Sequence, residues 1–206
     1  LTCGLKHMNE NQIAVVCPTY NSAGYISRTL NSLLSQQELP EEIIFSDDAS
    51  QDNTIDIIEQ SREQFENAGI ELKVLFSHYN KGPGAARNQG IFATQKHWIA
   101  FLDADDTWKP EKIKRIKKII RITQGLNCIL HWEDYVRLNG KVTTLKHGEN
   151  YEQNISIPKQ IYLNNFLSTS AVVCSRSLLI KVGCFDEKLP NGQDYDLWLK
   201  MSSLRK

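Results

Sequence analysis

The sequence has no excess of either charge. Lys plus Arg number 24 and Asp plus Glu number 24 across 206 residues. That balance leaves no electrostatic footprint for a polyanion, so nucleic acid is not an expected partner. No apolar run has the length or purity of a membrane-spanning helix, and the leading residues lack an apolar signal-peptide core. The five cysteines (Cys3, Cys17, Cys128, Cys174, Cys184) are odd in number, scattered, and include no C-x-x-C pair. This argues against a disulfide framework or a zinc site, and for a reducing cytosol. Cys17, Cys128 and Cys174 lie in apolar runs and read as core residues. His78, His97, His131 and His147 show no metal-ligand spacing. The loop after the first apolar run lacks G-x-G-x-x-G, and G-x-x-x-x-G-K-[ST] occurs nowhere. The first absence argues against a Rossmann dinucleotide site, and the second excludes a P-loop.

What is present is an alternation of short apolar runs with helical periods. Residues 1–8 (with His7) read as a tag ahead of a single domain at 9–206, long enough for a sizeable core. Strands are expected at Gln12–Cys17, Glu42–Ser46, Glu71–Phe76 and His97–Leu102. Between them, helices are expected from Ser22 to about Gln37, after an Asp52 cap, and from Gly82 to about Thr94. This order predicts an α/β, doubly wound, mainly parallel sheet over 9–106, with a mixed half at 107–206. In that second half, Cys128–Leu138 and Lys141–Leu145 read as strands joined by an Asn139-Gly140 turn. Phe166–Cys174 is Ser/Thr-rich and weakly patterned, and a helix opens at Asp194.

Polar clusters end three of the strands: Pro18-Thr19-Tyr20-Asn21, Asp47-Asp48 and Asp103-Ala104-Asp105-Asp106. In an open α/β sheet those ends converge on one crevice. Asp103 and Asp105 stand two residues apart, so in extended chain they face one target. Two bare carboxylates side by side repel. A divalent cation resolves the conflict, and hard oxygen ligands favour Mg²⁺ or Mn²⁺ completed by substrate phosphates. An Asp-rich turn after a strand is the other reading of the same residues.

These segments also carry a resemblance. Val15–Asn21, Asp47–Thr54, Asn80–Gly90 (with Gly-x-x-x-Ala-Arg-Asn-x-Gly inside it), Phe101–Asp106, Gly183–Glu187 and Gln193–Trp198 resemble, in this order, the motifs of inverting family-2 glycosyltransferases with the GT-A fold. The resemblance covers nearly the whole chain from Gln12 and implies the following roles. Pro18, Thr19 and Tyr20 flank base and ribose, although Tyr20 could instead pack on the sheet. Asp48 accepts a hydrogen bond from the base, and Asp47 holds the loop. Gly82 and Gly84 let backbone approach the nucleotide, or else are ordinary turn glycines. Arg87 binds base or diphosphate, or is paired with Asp47 or Asp48. Asp103, Ala104 and Asp105 form the D-x-D segment, with Asp105 the main ligand of Mn²⁺ or Mg²⁺ and Asp103 on ribose or metal. Asp106 supports the turn. Asp194 is the base, or else a helix N-cap. The family often places Glu before it, where this chain has Gln193.

The implied reaction moves a sugar from a nucleotide diphosphate donor, UDP-linked by expectation, to a hydroxyl of a glycan or lipid-linked acceptor. Surface polysaccharide assembly is the family-level setting. Lys109–Gln124 reads as an amphipathic basic helix: a solvated face over a core stripe, or a peripheral contact with an anionic inner leaflet of the plasma membrane. Two rivals remain. A nucleotidyltransferase would need a Gly-rich, Lys-bearing loop after the first strand, and none is there. A nucleotide-sugar-binding module or a shortened relative would fit Gln193 and the end at Lys206.

Overall fold

The computed structural model describes residues 10–204. Its elements, in chain order, are β1 (Ile13–Thr19), α1 (Ile26–Leu34), β2 (Glu42–Asp47), α2 (Thr54–Gln60), α3 (Arg62–Asn67), β3 (Glu71–Phe76), α4 (Pro83–Ala93), β4 (Trp98–Phe101) and α5 (Lys112–Ile122). Then follow β5 (Cys128–Leu130), β6 (Glu133–Val136), β7 (Val142–Leu145), α6 (Ile157–Leu163), a 3₁₀ turn (Thr169–Ala171), β8 (Val172–Ser175), α7 (Arg176–Val182) and α8 (Gln193–Ser203).

Six strands form one sheet in the order β3-β2-β1-β4-β8-β5. β1, β2, β3 and β4 run parallel, while β8 lies antiparallel between β4 and β5. β1, β2 and β4 are buried almost throughout because both faces are covered, whereas β3 at the edge is half-exposed. On one face Ile13, Val15 and Cys17 pack with Ile26 and Leu33 of α1, Ile58 of α2, Phe65 of α3, and Ile113 and Ile116 of α5. On the other, Val16, Ile44, Ile99 and Phe101 pack with Ile91 of α4, Leu179 of α7, and Leu197 and Trp198 of α8. The expected α/β, doubly wound, mainly parallel sheet is therefore observed.

Several expectations are corrected. The first helix starts at Ile26: the Ser22 carbonyl, not its hydroxyl, accepts the Tyr25 and Ile26 N–H groups. The second helical segment is two helices that meet at Ser61. Asp52 serves the start of α2 from just outside it, accepting the Thr54 N–H at 3.0 Å. The Cys128–Leu138 run breaks at His131-Trp132 into β5, inside the sheet, and β6, which pairs with β7. The weakly patterned Phe166–Cys174 stretch supplies β8. Cys128 is exposed on the edge strand β5 rather than in the core, whereas Cys17 and Cys174 are buried as expected. The basic helix buries Lys112 and Lys117 along with Ile113 and Ile116, so its cations are not all on a solvated face. Residues 1–8 lie outside the described residues.

Candidate active site

The carboxyl ends of β1, β2 and β4 open on one edge of the sheet, and the first turn of α4 faces them. Asp47 is buried and accepts three hydrogen bonds: the Thr19 hydroxyl at 2.8 Å, the Ser50 N–H at 2.8 Å and the Ser50 hydroxyl at 2.6 Å. It holds the loop, and it also spends the Thr19 hydroxyl internally. Asp48, also buried, accepts the backbone N–H groups of Lys81 at 2.8 Å and Gly82 at 2.7 Å. Its negative charge thus sits at the start of α4, where the helix dipole favours it. Pro18 is half-buried at the end of β1. Tyr20, directly after β1, is 47% exposed, so its ring is not buried on the sheet.

Gly82 has φ +92°, a conformation that side chains strain to adopt. Gly84 has a different reason: a Cβ there would lie 3.1 Å from Gln193 Cγ. The glycine admits α8, and it does so from within the buried side of α4. A hollow of about 200 Å³ lies in front of this turn, lined by Lys81, Gly82 and Gly84 on one side and Glu187 to Pro190 on the other.

One turn into α4, Arg87 is buried and its Nη2 donates to Asp103 Oδ1 at 2.6 Å. The pairing with Asp47 or Asp48 is not observed; those carboxylates accept bonds from the loop and from the α4 start. Arg87 Nε and Nη1 are buried without a partner among the described residues. Ala104 is buried, and its carbonyl accepts the Thr29 hydroxyl at 2.7 Å, which pins the loop after β4 to α1. Asp105 and Asp106 are exposed beside it. The Asp106 carboxyl is raised above the usual carboxylate range by desolvation first, with a Ser170 hydrogen bond opposing and the charges of Asp103 and Asp105 adding.

Asp194 lies in the first turn of α8, whose N-cap is Gly192, so the alternative reading of Asp194 as an N-cap is not the one observed. The Thr169 hydroxyl donates to Asp194 Oδ2 at 3.3 Å, and the next residue, Ser170, accepts the Asp103 N–H on its hydroxyl at 3.0 Å. One 3₁₀ turn therefore ties the D-x-D loop to the expected base. Lys112 supports that turn from below: its Nζ donates to the Ser170 carbonyl at 2.9 Å and lies 3.7 Å from the centre of the Trp108 ring. Burial holds its ammonium well below the usual lysine range, with Glu133 and then Asp106 opposing. Sequence reasoning missed Thr169, Ser170 and Lys112. The Ser/Thr-rich composition before β8 was the available signal.

The chain matches the family model of glycosyl transferase family 2 over residues 14–182. The chain belongs to glycosyl transferase family 2. Among curated relatives, the succinoglycan biosynthesis protein ExoO of Rhizobium meliloti is 35% identical over 194 residues, covering 90% of this chain and 54% of the relative. The amylovoran biosynthesis glycosyltransferase AmsB of Erwinia amylovora is 28% identical over 204 residues, covering 96% of this chain and 66% of the relative. Among solved structures, S. aureus TarS 1-349 in complex with UDP aligns with TM-score 0.73 and 26% identity, over 93% of this chain and 55% of that one. The family-2 chain thus spans roughly half to two thirds of the length of these proteins.

The donor set can be weighed against the metal the family implies. Among the described residues no group of three or more His, Cys, Asp or Glu side chains could hold an ion. Among the described residues the loop after β4 presents the exposed Asp105 and the Asp103 oxygen not held by Arg87, with the exposed Asp106 next in sequence. That set does not suit a protein-caged ion. It does suit Mg²⁺ or Mn²⁺ of the kind that keeps waters and is completed by substrate phosphates.

Proposed function

We propose that this family-2 chain is the catalytic part of an inverting glycosyltransferase that moves a sugar from a nucleoside diphosphate donor, UDP by preference, to an acceptor hydroxyl in surface-polysaccharide assembly. The observation that carries this reading is the tie made by Thr169 and Ser170. It holds Asp103, on the donor side, and Asp194, on the acceptor side, in one rigid turn. The UDP bound to TarS and the polysaccharide settings named for ExoO and AmsB support it.

In this reading Asp48 and Tyr20 receive the base, and Pro18 and Thr19 line it with backbone, since the Thr19 hydroxyl is engaged. Arg87 supplies the positive charge for the base or diphosphate, with Nε and Nη1 lacking a partner among the described residues. Asp105 and Asp103 would hold Mn²⁺ or Mg²⁺. When bound, the ion neutralises charge on the departing diphosphate. Asp194 takes the proton of the acceptor hydroxyl as its oxygen attacks the anomeric carbon. The bond from that carbon to the diphosphate oxygen breaks, and the nucleoside diphosphate leaves on the opposite face. Gln193 is buried against Gly84, so the neutral residue before Asp194 packs the helix pair rather than serving as a base. Peripheral membrane contact through Lys109–Gln124 would fall to the exposed Lys114, Arg115 and Lys118.

Calorimetry with UDP, GDP, TDP and CDP, each with Mn²⁺ and with chelator, tests the donor half. Metal-dependent UDP binding that Asp105→Ala removes is the expected result. Asp194→Asn should leave that binding intact and lower turnover by about 10²–10⁴-fold. Absence of any diphosphate binding would end the reading, and a product with retained anomeric configuration would end the single displacement.

A further inference from the structure

A second hollow, of about 500 Å³, lies on the acceptor side, between the turn after β7 and the end of α6. Its size is that of a small-molecule site, about 300–1,000 Å³. Tyr151 and Phe166 supply ring surface, and Asn150 and Asn164 supply carboxamides. Its lysine and its histidine each already have a carboxylate partner. Lys146 Nζ bonds Glu149 Oε1 at 2.6 Å, and the His147 ring is 2.8 Å from Glu133 Oε2. Glu152 adds a further acid to the lining. A phosphate or uronate entering here would find no uncommitted cation and would face two carboxylates. A neutral, hydroxyl-rich ligand with apolar ring faces would meet amides, acids and aromatic surface, each of which it can use.

The hollow is also tied to the expected base. Glu133, which holds His147, accepts the Ser168 hydroxyl at 3.1 Å on its other oxygen. Ser168 precedes Thr169, the residue that bonds Asp194. Behind the lining, the Tyr195 hydroxyl, one residue after Asp194, donates to the carbonyl of Tyr162 in α6 at 3.0 Å. Two independent routes therefore fix the groove relative to Asp194, a placement that a chance surface hollow has no reason to keep.

We propose that this groove is an acceptor subsite for an uncharged oligosaccharide, holding the sugars behind the unit whose hydroxyl Asp194 deprotonates. The proposal rests on the glycosyltransferase reading and deepens it by naming the acceptor class: a neutral chain of at least two sugars, recognised through Tyr151 and Asn164.

The test is a printed array of neutral and acidic bacterial oligosaccharides of graded length, probed with the labelled chain in the presence of UDP and Mn²⁺. UDP affinity is measured in parallel by calorimetry. Tyr151→Ala and Asn164→Ala change exposed side chains, so their folding should be preserved, and unchanged UDP affinity checks it. The expected result is capture of neutral glycans of two or more units, weakened about tenfold in each variant, or about 1.4 kcal/mol. A blank array with UDP binding intact overturns the subsite alone. Equal capture by the variants, or selective capture of acidic glycans, overturns it as well. Failure of the parent chain to bind UDP overturns the donor reading, and the subsite with it.

Discussion

Arg87 Nη2 reaches Asp103 Oδ1 at 2.6 Å, so the buried cation of α4 is balanced by the first carboxylate of the loop after β4. The two ends of this bond differ in access to water: the Arg87 side chain is 5% exposed and that of Asp103 32%. Removing the carboxylate strands a charge indoors, whereas removing the guanidinium strands one that water can reach. Asp103→Ala should cost about 2–3 kcal/mol, less than a fully buried pair, and Arg87→Met should cost less than that. Urea denaturation of both variants checks the order. The reverse order would mean that Arg87 is held by its packing on Phe185 rather than by charge.

Gly90 marks the closest approach of α4 to the sheet. A Cβ there would sit 2.5 Å from Val16 Cγ1, a contact that something must relieve. Gly90→Ala should lower stability by about 1–3 kcal/mol through overpacking. Val16→Ala removes the clashing methyl, so the double variant should lose less than the sum of the single losses. Additive losses in a denaturation cycle would contradict the packing argument.

Lys112 separates stability from function. A buried ammonium is expensive to desolvate, and a methionine of similar length would keep the packing against Trp108. Lys112→Met should therefore leave the melting temperature unchanged or raised. The Ser170 carbonyl would lose its donor, and the turn that ties Asp103 to Asp194 would loosen. The expected signature in sugar transfer is a lower kcat with little change in donor KM. A variant with parental kcat would show that the turn does not need this support.

His131 gives the pH dependence. Its Nδ1 faces the Trp132 carbonyl at 2.8 Å. Burial, and then the nearby Lys112 charge, push its pKa down to about 4. The folded state thus holds the ring neutral, while the unfolded chain takes up the proton near 6.5. The stability it contributes is present above about 6.5 and is lost as pH falls toward 4. His131→Gln should flatten that part of the stability–pH curve, as read by urea midpoints from pH 7 to pH 4. An unchanged slope would place the acid sensitivity elsewhere.

The donor half was legible because its signals are local. β1, β2 and β4 are short runs buried almost throughout, β3 is a short apolar run at the sheet edge, and local pattern alone places all four. The Asn139-Gly140 turn likewise announced the β6–β7 hairpin. β8 was not legible. It has four residues, Val172–Ser175, and becomes a strand only because β4 and β5 pair with it from both sides. The break at Ser61 and the short helices α6 and α7 lack the length that makes helical periodicity visible.

The site residues divide in the same way. Asp48, Arg87, Asp103, Asp105 and Asp194 could be named from motifs, but their partners could not. Arg87 pairs with Asp103, while Asp47 is engaged by Thr19 and Ser50 and each oxygen of Asp48 accepts one amide, from Lys81 or Gly82, and keeps a lone pair free. Lys112 and Lys117 counted as surface charge on a helical wheel. They are buried because a Ser170 carbonyl, in one case, and Glu41 with the Leu39 carbonyl, in the other, wait for them across the fold.

The sequence by itself determined the alternation of strands and helices, the gathering of acids at one edge of a parallel sheet, and the family. Those features follow from periods of two and 3.6 residues and from short motifs, all of which act over a few neighbouring positions. Only the tertiary structure decided that the turn at Thr169-Ser170 joins Asp103 to Asp194, that Gly84 makes room for Gln193, and that Tyr195 of α8 is bonded to α6. Each of these joins residues far apart along the chain, and pairing at that range is set by the packing of whole elements rather than by any local preference.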